Sequence, residues 1–176
     1  MTILPNIAFI GKMGAGKTWC RRVLEQQFGY QRFSFAEPLK VGCGTADDRE
    51  LLQRVGQGVR QLHEDFWVNL AMAQLDAADD ELRFEGGGPW VNDDTRYPNE
   101  AAALRGRGFV IVRVVAPATI RIDRLKRNGR LQDEAQLNHE SETALDHWTA
   151  DERIVNVGWH EDLIADLTAI VNKHRA

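Results

Sequence analysis

Cysteine is scarce in this chain: Cys20 and Cys43 are the only two in 176 residues, with no CxxC pair and no cysteine–histidine cluster. That excludes a disulfide framework and a structural zinc site as organising principles, and a reducing cytoplasm is the expected setting. Long apolar runs are missing too. Nowhere do 18 apolar residues follow one another, so no membrane-spanning helix is expected. No secretory leader is expected either, because the first apolar stretch, Ile7 to Ile10, runs into a glycine-rich turn and not into a cleavage site. Basic charge is not in excess: the formal net charge is −4, which speaks against wholesale binding to nucleic acid while leaving room for a local basic site. The five histidines show no metal-ligand spacing. Lysine is rare, with 5 Lys against 17 Arg. The planar arginine fork suits bidentate phosphate contacts, and a compositional bias of the genome would explain the skew equally well.

What is present is ordinary for a globular domain, with 43% hydrophobic and 27% charged residues. A chain of this length buries roughly 70% of its unfolded surface and can build one core. Short apolar runs alternate with helical patterns. Strands are expected at Asn6 to Ile10, Tyr30 to Ala36, Trp90 to Asp93, Phe109 to Val115 and Arg153 to Val157. Between them helices are expected from about Lys17 to Gln27, from Asn99 to Arg105, from Thr119 (as cap) to Arg127 and from Glu161 to Val171. Pro38 suits a first helical turn, and Val41 to Asp48 reads as a loop. Glu50 to Leu75 reads as largely helical, with Leu62, Phe66 and Leu70 on one face and a break or bend at Gly56 and Gly58. Asp76 to Pro89 reads as a surface connection. Alternating strands and helices imply an α/β fold around a mostly parallel five-stranded sheet, whose ligands bind at the carboxyl ends of the strands.

The run after the first strand, Gly11 to Thr18, reads GKMGAGKT and matches G-x-x-x-x-G-K-[ST] at every fixed position. Glycines let the backbone curl its N–H groups toward phosphate oxygens, and the following helix adds its positive end. Lys17 is expected to reach the β and γ phosphates, and Thr18 to place its hydroxyl on Mg²⁺. The third strand ends in Asp93 and Asp94, where an acid can hold magnesium through water or meet the acceptor. Alternation along a strand implies that only one of the two faces the loop. Arg96 can clamp an acceptor phosphate or pair with Glu100. Arg121, Arg124 and Arg127 recur every third residue, so they share a helical face and can close over a transferring phosphoryl group. A solvated basic face is the plainer alternative. Glu37, Lys40 and Arg60 are candidates for an acceptor pocket.

Several runs carry a family resemblance: the P-loop, FAEPLK (Phe35 to Lys40), DTRYPNEA (Asp94 to Ala101), HESE (His139 to Glu142) and RIVNVG (Arg153 to Gly158). Together they resemble the bacteriophage deoxynucleoside monophosphate kinases, and more distantly dephospho-coenzyme A kinase and other small P-loop kinases. The resemblance implies a P-loop nucleotide kinase fold over residues 1–176, with an acceptor-binding insert at about 37–80 and a lid at about 118–146. It implies ATP as phosphoryl donor, Mg²⁺, and a nucleoside monophosphate as acceptor. By it, Gly11, Met13, Gly14, Ala15, Gly16, Lys17, Thr18, Trp19 and Asn156 would hold ATP. Glu37, Lys40, Arg60 and Arg96 would line the acceptor site, and Asp94 would stand near magnesium and acceptor. Arg121, Arg124 and Arg127 would supply the lid charge. A phage-encoded enzyme of this kind works in the host cytoplasm.

In-line transfer to an acceptor phosphate needs no general base, so positioning and charge are the enzyme's contribution. Two other readings stay open. A P-loop kinase can phosphorylate a hydroxyl, on a small metabolite or on a modified nucleoside in DNA, with Glu37 or Asp94 as base. A nucleotide-dependent switch would bind without transfer. Small-molecule nucleotides are the expected partners, with no membrane. No stable nucleic-acid complex is expected unless the DNA-kinase reading holds. A monomer and a symmetric homodimer both fit.

Overall fold

Four consecutive apolar residues, Ile7–Ile10, form strand β1, and all four are fully buried. A strand can be apolar at every position only where both its faces are covered, as in a parallel sheet lined by helices. The computed structural model describes residues 3–45, 48–83, 89–130, 137–158 and 160–176, and it places β1 at the centre of such a sheet. Strands β3 (Trp90–Asn92) and β4 (Val110–Val115) flank it in parallel, with Ile7 opposite Val91 on one side and Val110 on the other. Strand β5 (Glu152–Val155) pairs in parallel with β4, and β2 (Gln31–Phe33) closes the far edge, giving the order β2-β3-β1-β4-β5. The order runs outward both ways from β1, so the carboxyl ends of β1, β3 and β4 open on one crevice.

The chain divides into two compact units, Met1–Arg32 with Pro89–Ala176, and Phe33–Gly88. In the first, helix α1 (Lys17–Phe28) follows β1 and ends at Gly29, whose left-handed φ of 71° lets its N–H reach the Leu24 carbonyl. Helix α8 (His160–Lys173) turns Leu163, Leu167, Ile170 and Val171 into the same cluster as Cys20, Val23 and Leu24 of α1. Each fully buried leucine contributes about 1.5–3 kcal/mol. Helix α5 (Pro98–Gly106) starts at a proline, which needs no N–H partner there. Helix α6 (Ala118–Arg127) starts behind Pro117, and no side chain caps it, so the expected cap at Thr119 is already inside the helix. Helix α7 (Glu140–Thr143) is a single turn, capped by His139.

The second unit holds helices α2 (Glu37–Cys43), α3 (Arg49–Leu62) and α4 (Phe66–Arg83). Four expectations are corrected here. Residues 41–43 are helical, and the turn comes only at Gly44, left-handed at φ 66°. The long helix does not break at Gly56 or Gly58 but at 63–65. Gly56 serves close packing: a Cβ there would stand 3.1 Å from Leu39 Cδ2, and its carbonyl accepts from Trp67 Nε1 at 3.1 Å. Because of the break, the Leu62, Phe66 and Leu70 series spans two helices and lies exposed, Leu62 at 90%; among the described side chains of α4, Trp67, Val68, Ala71 and Leu75 are buried. The surface connection expected from Asp76 is helical as far as Arg83, and residues 84–88 lie outside the described residues, as do 131–136 of the expected lid. Among the described residues no helix is long and apolar enough to cross a membrane.

Candidate active site

The loop Gly11 to Thr18 leaves β1 and lies directly on the end of β4. Gly11 has φ 133°, and a Cβ there would stand 2.2 Å from the Val114 carbonyl oxygen. At Gly16, φ 106°, a Cβ would meet Asn156 Nδ2 at 2.2 Å. Both positions therefore demand glycine on backbone and space together. Asn156, just past β5, donates from Nδ2 to the Ala15 carbonyl at 2.8 Å and accepts Arg124 Nη2 at 2.8 Å. Arg124 also approaches the Gly14 carbonyl at 3.3 Å, and Arg121 donates to the Met13 carbonyl at 3.1 Å. Arg127 does not join them. A step of three residues lags the helix by about 60°, so two steps carry Arg127 round to solvent, where its side chain is 73% exposed and pairs with Asp123.

Lys17 opens α1 and is only 7% exposed. Its ammonium donates to the carbonyls of Gly11 and Lys12. Burial lowers its pKa to about 7; the nearby Arg96 and Arg121 push the same way, against Asp93 and Asp94. A phosphate group arriving there would restore the charge. Thr18 is exposed on the first turn, while Trp19 packs against the hydrophobic core. Burial pushes the thiol of Cys20, under the loop, up to about 12, which makes it a core residue and not a nucleophile.

Both aspartates lie beyond β3, where the chain bends, so strand alternation does not sort them. Asp93 is buried with its carboxylate 3.3 Å from Arg21 Nε. Asp94 is half-buried, and its Oδ1 accepts from Asn92 Nδ2 at 2.7 Å. Asn92 is fully buried and its own Oδ1 accepts from the N–H groups of Asp94 and Thr95 at 3.2 and 3.0 Å, which fixes the bend. The backbone N–H of Arg96 donates to Glu100 Oε2 at 2.6 Å, whereas its guanidinium pairs with Glu142. Glu142 also accepts the Met13 N–H at 2.6 Å, and Asp146 pairs with Lys12 at 2.8 Å. Both polar backbone groups of Met13 are thus engaged within the protein.

The first unit brings together the loop, Asp93, Asp94, Arg96, Arg121, Arg124 and Asn156. A cavity of about 260 Å³ beside the loop is lined by Gly11, Lys12, Ala15, Arg121, Asp146 and the end of β4. Glu37, Lys40 and Arg60 belong to the second unit: Glu37 begins α2, Lys40 lies in its last turn, and Arg60 lies in the last turn of α3. Sequence reasoning missed Asn92, Glu142 and Asp146. Asn92 stands two residues before an acid at a strand end, the spacing of a side-chain turn. Asp146 carries no local signal, and Glu142 stands out only as the last residue of the HESE run, with no role attached to it.

No protein-family model matches the chain, and no curated protein sequence matches it. Solved structures do. A shikimate kinase from Acinetobacter baumannii, in complex with shikimate, gives a TM-score of 0.65 at 20% identity, over 97% of this chain and 94% of that one. A sugar kinase from a Janibacter species gives 0.58 at 16%, over 96% and 94%. The tunicamycin resistance protein of Deinococcus radiodurans gives 0.55 at 22%, over 95% of each. The chain has the P-loop kinase fold. The glycine-rich loop that follows the first strand of this fold is here GKMGAGKT.

Proposed function

We propose that this chain transfers the γ-phosphoryl group of MgATP to the phosphate of a nucleoside or deoxynucleoside monophosphate. One observation carries the reading: the buried Lys17 of a complete P-loop shares its surroundings with two cations, Arg96 and Arg121, and two strand-end acids, Asp93 and Asp94. Clustered cations around a phosphate cradle suit a step in which charge moves between phosphate oxygens. The runs DTRYPNEA and HESE add the acceptor class by resemblance.

Lys17 and the N–H groups of the loop hold the donor phosphates, and Asn156 keeps the loop in shape from behind. The exposed hydroxyl of Thr18 and the half-buried carboxylate of Asp94 fit the Mg²⁺ that arrives with ATP, since that ion keeps most of its waters and takes few protein ligands. When bound, it neutralises charge on the phosphates. Arg96 and Arg121 orient the oxygens of the transferring group. By the same resemblance, Glu37, Lys40 and Arg60 are the candidate acceptor residues.

A second reading, transfer to a hydroxyl, is favoured by the names of the solved structures, a shikimate kinase and a sugar kinase. There Asp94 would act as base. ADP release with ATP, Mg²⁺ and a panel of ribo- and deoxynucleoside monophosphates tests both. Acceptor-dependent ADP with at least one monophosphate is expected. Silence across the panel, with turnover on a polyol or hydroxy acid, would favour the second reading.

A further inference from the structure

We propose that Glu142 is a positioning residue for the transferring phosphoryl group, acting through Arg96; this rests on the phosphotransfer reading but not on the identity of the acceptor. Glu142 is 7% exposed and both its oxygens are used. Oε2 accepts the Met13 N–H at 2.6 Å, and Oε1 pairs with the Arg96 guanidinium. One buried carboxylate therefore spans the P-loop and the turn after β3. A buried carboxylate is costly unless it is matched, so the pair holds its geometry.

The support behind Glu142 is rigid. His139 caps α7, accepting the Ser141 N–H at 3.2 Å. Arg113 in β4 donates to the carbonyls of Leu145 and Trp148 at 2.8 and 2.6 Å, which fixes the segment to the sheet. Arg96 is anchored a second time through its backbone N–H to Glu100. The result holds the Arg96 guanidinium beside the P-loop, with the Glu142 carboxylate joining it to the Met13 N–H. A guanidinium carries five N–H donors in a plane, so an arginine oriented by one carboxylate can still meet a second anion. The anion that suits an arginine held beside the P-loop is the terminal phosphate of the donor. Without Glu142, the Arg96 side chain, already 34% exposed, has solvent to turn into.

The test measures binding of MgADP and of a non-hydrolysable MgATP analogue by calorimetry, in wild type, Glu142→Ala, Arg96→Ala and the double variant. The ratio of the two dissociation constants isolates the terminal phosphate. Wild type should prefer the analogue, and Glu142→Ala should lower that preference roughly tenfold, the size of one charge-assisted hydrogen bond. Arg96→Ala should do the same and the double variant no more, while MgADP affinity moves less than about twofold in Arg96→Ala, which leaves the Met13 contact in place. Glu142→Gln keeps an oxygen for the Met13 N–H and so preserves the loop if the alanine variant fails to fold; it should lose the preference as well. A wild type without the preference, variants that weaken both nucleotides equally, or losses that multiply in the double variant would each overturn the proposal. No acceptor is used, so silence of the enzyme toward monophosphates would count against the acceptor class alone.

Discussion

The loop 11–18 and the segment 139–146 fasten the same site, but they are held in different ways. The loop is specified by its own residues: Gly11 and Gly16 sit at φ values that other residues avoid, and Lys17 starts the helix that follows. Segment 139–146 contains a helix of only 4 residues, far too short to be stable alone. It owes its position to distant partners, Arg113 under Leu145, Lys12 beside Asp146, and Arg96 with Met13 at Glu142. On the proposed function, the contiguous motif carries the chemistry and the tertiary contacts carry the alignment. Substitutions in the two halves should therefore differ in size and in kind.

The largest effect is expected in the loop. Lys17→Met should cut kcat by about 10²–10³-fold, as for loss of a preorganised charge at a transition state, with an unchanged circular dichroism spectrum. A smaller effect that sharpens the contrast comes from α6. Arg124→Ala removes the 2.8 Å contact to Asn156 and the approach to the loop carbonyls, and should weaken ATP binding by roughly tenfold. Arg127→Ala, at an exposed pair, should change binding by less than about twofold. Equal losses at the two arginines would mean that the face, and not the contacts, matters.

A different kind of effect is the pH dependence of the loop itself. The pKa of Lys17 in the free protein is lowered to about 7, first by burial and then by Arg96. Donor phosphates raise it again, so above pH 7 binding must take up a proton, and ATP affinity should fall by up to about tenfold per pH unit. Below pH 7 this group contributes no slope. The stability of the free protein moves the other way. Between about 7 and the unfolded value of 10.5 the unfolded chain binds the extra proton, so the Lys17 contribution to stability rises with pH in that window. Calorimetry in buffers of different ionisation enthalpy reads the proton uptake directly, and its absence at pH 8 would contradict the assignment.

Much of the fold was legible because its signals are local. The apolar run of β4, the loop after β1 and the stripe of α8 each announce themselves within a few residues. The division of α3 from α4 did not, because Gly56 looks like a breaker yet serves packing against Leu39 and Trp67. The apolar series Leu62, Phe66 and Leu70 misled for the same reason, since the break at 63–65 changes the face. In the site, the alternation rule failed at Asp93 and Asp94 because the buried Asn92 bends the chain there. The HESE run ending in Glu142 was visible, but its partner was out of reach, lying 129 residues away in the loop.

The most direct test of phosphate-to-phosphate transfer is phosphorus NMR of the protein with ATP, Mg²⁺ and a mixture of deoxynucleoside monophosphates. New diphosphate signals, growing as the γ-phosphorus of ATP disappears and absent when acceptor is omitted, are expected. A phosphate monoester on a supplied hydroxyl compound, with no new diphosphate beyond ADP, would contradict that acceptor class.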